Sequence, residues 1–148
     1  MYQWFEIKLK YVKQQPDGSE KKVVEPYLVD AQSFTEAERR IILEMKSYIS
    51  GEFEVDDIKR VRIGEMFETT DESADRWFKS KLSYVTLDEK SGKEKRVSFF
   101  AYVQAADLPD SIDRLREGMK GTIADYVIES VAETKIVDVF HYVEVSKK

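Results

Sequence analysis

Two short stretches hold the residue types from which a recognition surface can be built: Trp4, Lys8 and Lys10 in one, Trp77, Lys79 and Lys81 in the other. In the first, Phe5, Ile7, Leu9 and Tyr11 occupy the odd positions. An extended strand therefore places the indole and ammonium groups together on the face opposite the apolar one. Aromatic rings interleaved with lysines suit single-stranded nucleic acid, because bases stack on the rings while ammonium groups meet phosphates. The same face also suits a protein contact, or burial of both tryptophans against the opposite stretch under a cover of lysine stems. Lys13, Lys21 and Lys22, then Lys90, Lys93, Lys95 and Arg96, would extend a basic edge.

Other chemistries find little material. The 148 residues contain no cysteine, which removes thiolate nucleophiles, disulfides and Cys-ligated zinc. His141 is the lone imidazole and stands beside no nucleophile motif, so it reads as a surface residue. The six glycines are dispersed and form no phosphate-binding loop. Glu52, Glu54, Asp56 and Asp57 crowd four carboxylates together but lack the Ca²⁺-loop pattern, and they read as a solvated acidic connection. No metal and no cofactor is expected, and catalysis is not. A net charge of −5 gives no global attraction to phosphate backbones. Charges interrupt each apolar run before about 18 residues, and the opening residues lack signal-peptide character, so a cytoplasmic, non-membrane protein is expected.

The elements that would position these faces are written twice. Trp4-Phe5-Glu6-Ile7-Lys8-Leu9-Lys10-Tyr11-Val12 returns as Trp77-Phe78-Lys79-Ser80-Lys81-Leu82-Ser83-Tyr84-Val85, 73 residues on. After a hairpin loop one residue longer in the second copy the offset becomes 74, pairing Gly18 with Gly92, Val29 with Val103 and Met45-Lys46 with Met119-Lys120. It is 73 again for Ile63 and Ile136, and for Phe67 and Phe140.

Each copy reads as strand, hairpin, strand, helix, strand. Gln15-Pro16-Asp17-Gly18 and Asp88-Glu89-Lys90-Ser91-Gly92 carry turn chemistry, and Pro26 argues for an edge or bulge in the return strand. Ser33-Phe34-Thr35-Glu36 is a capping box followed by apolar residues at helical spacing, with Gly51 as a stop. Asp107-Leu108-Pro109-Asp110 opens the second helix, which Gly118 weakens by about 1 kcal/mol. Phe53–Phe67 and Tyr126–Phe140 read as closing strands, with a helical alternative over Asp56–Val61 and Ile128–Glu133. The fold class is α+β: a tandem duplication of a β-β-α-β unit forming one pseudo-symmetric domain over 1–148, with repeat one at about 1–67, a polar linker at about 68–74 and repeat two at about 75–142.

The segments Met1-Tyr2-Gln3-Trp4-Phe5-Glu6, Glu25-Pro26-Tyr27-Leu28-Val29-Asp30-Ala31 and Ile49-Ser50-Gly51-Glu52-Phe53-Glu54-Val55 resemble an uncharacterised bacterial family of short two-repeat proteins. Glu72-Ser73-Ala74-Asp75-Arg76-Trp77-Phe78 and Glu117-Gly118-Met119-Lys120-Gly121-Thr122 do so as well. The resemblance implies a setting in gut bacteria and their phage-like mobile elements, and it brings no activity and no site residues.

These readings lead to a non-catalytic interaction module that binds a protein partner or itself, as a dimer, through sheet faces or edges. The alternative is a nucleic-acid-associated, single-strand-binding protein that uses Trp4, Lys8, Lys10, Trp77, Lys79 and Lys81. The third reading, a carboxylate-dependent enzyme, would require a deep pocket lined by acids.

Overall fold

The computed structural model describes residues 2–142 and has a mixed α+β architecture of two four-stranded sheets and two helices. Alternation beginning at Gln3 makes β1 (Gln3–Gln14), and a turn with Gly18 at φ +86° returns the chain as β2 (Glu20–Ala31). Their register is unbroken from Gln3 opposite Ala31 to Gln14 opposite Glu20. Pro26 fits because its carbonyl accepts the Val137 N–H at 2.9 Å. The nitrogen and carbonyl of one strand residue face the same side, so the donor that Pro26 lacks points away from β1.

Helix α1 (Phe34–Met45) starts as its capping box requires. Ser33 Oγ accepts the Glu36 N–H at 3.1 Å, and the Glu36 carboxylate accepts the Gln32 N–H at 3.1 Å. Strands β3 (Phe53–Val61) and β4 (Glu65–Phe67) follow. The second half repeats this order with β5 (Arg76–Leu87), β6 (Glu94–Ala105), α2 (Leu108–Gly118), β7 (Tyr126–Glu133) and β8 (Val139–Phe140). In α2, Asp107 caps the Asp110 N–H at 2.8 Å and Asp110 accepts the Ala106 N–H at 2.9 Å. The closing segments are strands throughout their ordered length, each broken before its last few residues. The helical alternative over 56–61 and 128–133 does not occur, since β-branched residues alternating with charges satisfy a half-buried edge strand.

Packing divides the chain into two compact units, unit 1 from residues 2–61 with 136–142 and unit 2 from 62–135. Unit 1 has the strand order β3-β1-β2-β8 and unit 2 the order β7-β5-β6-β4. In each, three antiparallel strands are joined by a short parallel fourth: β8 pairs Leu28 and Val29, and β4 pairs Ala101 to Val103. The units do not follow the order of the elements along the chain, because β4 joins the sheet of unit 2 and β8 that of unit 1. Connection length explains why β4 does not join the sheet of β3. From Val61 to Glu65 the chain takes four steps, about 13–14 Å at full extension, whereas the free edge of the same sheet lies three strand spacings, about 14 Å, beyond β3 and behind two other strands, which leaves no length for the chain to pass around them. Residues 68–74, expected as a polar linker, are packed within unit 2: the Thr69 N–H donates to the Gln104 side chain, Asp71 pairs with Arg114 at 2.9 Å, and Ala74 is buried.

Each unit buries one sheet face under its helix. In unit 1, Phe5, Ile7 and Leu9 of β1 and Tyr27, Val29 and Ala31 of β2 meet Ala37, Ile41 and Met45 of α1. In unit 2, Leu82, Ala101 and Val103 meet Leu115 and Met119. Gly118 has a packing reason for being there: a Cβ at this position would lie 2.6 Å from the Phe67 ring. The helix gives up propensity so that β4 can lay its aromatic ring against the helix backbone.

Candidate functional site

The residues proposed from sequence are distributed over both units. Trp4 of β1 is half-buried and meets the His141 ring edge-on at 5.1 Å. Lys8 and Lys10 lie further along the same strand face, and neither forms an ion pair among the described residues. Lys10 lines an open depression with Lys22, Glu52 and Glu54. In unit 2, Trp77 is only 4% exposed, and its carbonyl accepts both the backbone N–H and the hydroxyl of Thr134. The Lys79 ammonium lies 4.4 Å from the centre of the Phe100 ring and 5.9 Å from that of Tyr102. Lys81 pairs with Glu129 at 4.0 Å, and the same carboxylate takes Arg96 at 3.8 Å and accepts the Ser83 hydroxyl at 2.9 Å. Trp4, Lys8 and Lys10 stand on β1 of unit 1, and Trp77, Lys79 and Lys81 on β5 of unit 2. The two lysines of unit 2 are spent on the unit's own rings and carboxylates.

The acidic run lies exposed along β3 and the turn before it. Asp56 is the extra residue of a bulge, since Lys8 pairs with Asp57 and Leu9 with Val55. Glu129 holds the matching position in β7. No group of three His, Cys, Asp or Glu side chains among the described residues could hold a metal ion.

Unit 1 contains a built cavity elsewhere, 210 Å³ in volume, between the far end of the β1–β2 hairpin and the end of α1. Strand parity explains its polar floor. Tyr11, Glu25 and Tyr27 all belong to the helix-facing side of the hairpin, Tyr27 within the core under α1 and Tyr11 and Glu25 further toward the turn. The Tyr11 hydroxyl donates to Glu25 Oε1 in a short hydrogen bond, and the Tyr27 hydroxyl donates to the same oxygen at 3.4 Å. The other oxygen, Glu25 Oε2, lies 3.5 Å from the Lys13 ammonium. Phe140, brought by β8, stacks on Tyr27 with ring centres 6.1 Å apart. Tyr48 and Asp138 stand at the rim.

The electrostatics follow from this arrangement. Burial, the hydrogen bond to Glu25 and the charge of Glu25 push the Tyr11 phenol up to about 12. Burial and then the Glu25 charge raise Tyr27 further. Both phenols are therefore protonated donors near neutral pH. They hold one carboxylate oxygen in place and leave the other presented to the cavity.

Unit 2 treats the equivalent position differently. Strand register places Tyr84 where unit 1 has Tyr11, Phe99 where it has Glu25 and Ala101 where it has Tyr27. There the Phe99 ring stacks on Tyr84 at 4.6 Å.

A family model for a domain of unknown function, DUF4494, matches residues 3–142. The chain belongs to the DUF4494 family. Searches of curated proteins and of solved structures returned no match. As a DUF4494 member the chain gains a family and no assigned chemistry, so its cavity has to be read from its own residues. No helix among the described residues is long and apolar enough to cross a membrane.

Sequence reasoning placed Tyr11 and Tyr27 on the core face and passed over Glu25, Asp138 and the cavity itself. A signal was available. Glu25 has the parity of the core residues Val23, Tyr27 and Val29, and a lone carboxylate on such a face requires partners. The alignment of the two copies also sets it opposite a phenylalanine.

Proposed function

We propose that this DUF4494 protein is a non-catalytic interaction module that recognises a protein partner through the cavity of unit 1. The observation that carries the reading is the contrast at one register position: Glu25 with an open cavity in unit 1, Phe99 stacked on Tyr84 in unit 2. A carboxylate held on a core face at an unfilled void lowers stability, and a binding role accounts for its presence. Edge-to-edge pairing draws less support. The edge strands β3 and β7 carry a bulge each, and β3 a run of charges as well, features that discourage strand addition. We infer in addition that both units descend from one β-β-α-β unit by tandem duplication, a reading supported by their matching strand order and repeated sequence. A cytoplasmic role in a phage or mobile element fits the family resemblance.

The test is site-specific photocrosslinking in cells from position 48, where Tyr48 is 74% exposed at the cavity rim, with Thr122 as the corresponding control in unit 2. A discrete protein adduct from position 48 that is absent from position 122 is expected, and Glu25→Phe should abolish it. Equal labelling from both positions would defeat the reading. Single-strand binding draws less support, with Trp77 buried and Lys79 and Lys81 engaged within unit 2. Salt-sensitive oligonucleotide binding that Lys8→Glu and Lys10→Glu weaken would put it first.

A further inference from the structure

The cavity of unit 1 has a definite chemical bias, and the inference drawn from it rests on the interaction-module reading above. We propose that it takes the cationic side chain of the partner, an arginine or a lysine, with Glu25 Oε2 as the receiving oxygen and the rings of Tyr27, Tyr48 and Phe140 as walls.

Four observations carry this. At 210 Å³ the cavity falls below the roughly 300–1,000 Å³ of sites for drug-sized ligands, which suits one inserted side chain. Its charged lining is Glu25, Asp138 and Lys13, a net of minus one, so a cation entering it meets an excess of negative charge. Aromatic walls attract cations through the negative ring face, and guanidinium groups stack on them. Finally, the protein's own ammonium already approaches the proposed position: Lys13 lies 3.5 Å from Glu25 Oε2, on a side chain that is 53% exposed. The carboxylate half of the pair is largely sheltered, while its lysine half is exposed and 3.5 Å away, so Lys13 acts as a placeholder that an incoming side chain displaces. The phenols of Tyr11 and Tyr27 serve as positioning residues. By occupying Oε1 they leave Oε2 as the receiving acceptor, which sets one direction of approach.

The experiment titrates the full chain with Nα-acetyl-arginine methylamide and, in parallel, with its neutral isostere Nα-acetyl-citrulline methylamide, followed by amide chemical shifts in NMR. The arginine derivative is expected to give saturable shifts at Tyr11, Glu25, Tyr27 and Asp138, and the citrulline derivative none. Glu25→Gln should weaken binding about tenfold, as loss of a charge-assisted hydrogen bond predicts. Lys13→Ala should tighten it about threefold by removing the competitor, a gain that no purely structural role of Lys13 would produce. Because Lys13 is exposed, this variant keeps the test valid even if Glu25→Gln fails to fold. Equal binding of both derivatives, or weaker binding in Lys13→Ala, overturns the inference. Absence of binding while the adduct at position 48 persists overturns the cation site and leaves the interaction module standing. Binding of the arginine derivative without any cellular adduct supports the cation site and removes the protein-partner reading.

Discussion

Units 1 and 2 share a strand order and a hairpin register, yet they finish the turn side of the hairpin in opposite ways. Unit 1 places Glu25 between two tyrosines and keeps a void, whereas unit 2 places Phe99 on Tyr84 and has an alanine, Ala101, beside it. The helix ends differ in step. Glu44 of α1 stands where α2 has Gly118, because Phe67 lies against the α2 backbone while Phe140 turns toward Tyr27. One backbone plan can thus serve as scaffold in one unit and as binding site in the other, with the choice made by a few residues on the core face of β2.

The largest expected effect comes from carrying the unit 1 residue into unit 2. Phe99→Glu removes a partly buried ring and puts a carboxylate on a core face whose neighbour is Ala101 in place of a tyrosine donor. A loss of about 2–3 kcal/mol in urea unfolding is expected. The reciprocal Glu25→Phe has a ring to stack on in Tyr11 and should raise stability by about 1 kcal/mol while eliminating cation binding. If both exchanges were neutral, the contrast between the units would have no energetic basis.

Next comes Gly118→Ala. Helix propensity alone predicts a gain of about 1 kcal/mol. The Phe67 ring lies 2.6 Å from the new methyl group, so the ring or the strand must move, and a net loss of about 1–2 kcal/mol is expected instead. In a Phe67→Leu background the same substitution should become neutral or stabilising, and a double-mutant cycle on thermal unfolding reads the coupling.

Smaller again is Ser80→Ala. Ser80 faces the core of unit 2 at the position of Ile7, is fully buried, and its hydroxyl has no hydrogen-bond partner among the described residues. Removing it should stabilise the protein by about 1 kcal/mol, seen as a higher midpoint at unchanged denaturant slope.

These residues also mark how far the sequence could be read. The strands, both helices and both caps were legible because each rests on a local pattern: alternation at Phe5, Ile7 and Leu9, or a capping oxygen at Ser33 and Asp107. The placement of β4 and β8 was not legible. Phe67 and Phe140 look alike in the alignment, and nothing local tells a strand of two or three residues which sheet edge it will find. Gly118 looked like a weakness of α2 because its reason, Phe67, comes from another element 51 positions away. Trp77 looked like a ligand platform by parity, but parity gives the face of a strand and says nothing about what covers it. Glu25 was the readable exception, a charge at the wrong parity, and it marks the cavity.

The last contrast lies at the helix starts, where a capping hydroxyl in unit 1 and a first-turn carboxylate in unit 2 respond differently to pH. In unit 1 the capping group is the Ser33 hydroxyl, which does not titrate in the acid range, so Ser33→Ala should lose about 1 kcal/mol at pH 7 and nearly as much in acid. In unit 2 the N-cap is Asp107, and Asp110 in the first turn, the counterpart of Glu36, accepts the Ala106 N–H and the Arg114 guanidinium, which also reaches Asp71; these contacts hold its carboxyl below its ordinary value of 3.8. A carboxyl depressed in the folded state contributes stability that is fully present above the unfolded value and fades as the pH falls through the folded one. Asp110→Asn should therefore lower the melting temperature at pH 7, and the gap to the wild type should close as the pH drops below the carboxylate range. Added salt should narrow the gap at neutral pH, because the Arg114 contacts are solvent-accessible and screened. A gap that stayed constant from pH 7 into acid would mean that Asp110 acts by shape alone and that its charge contributes nothing to holding the start of α2.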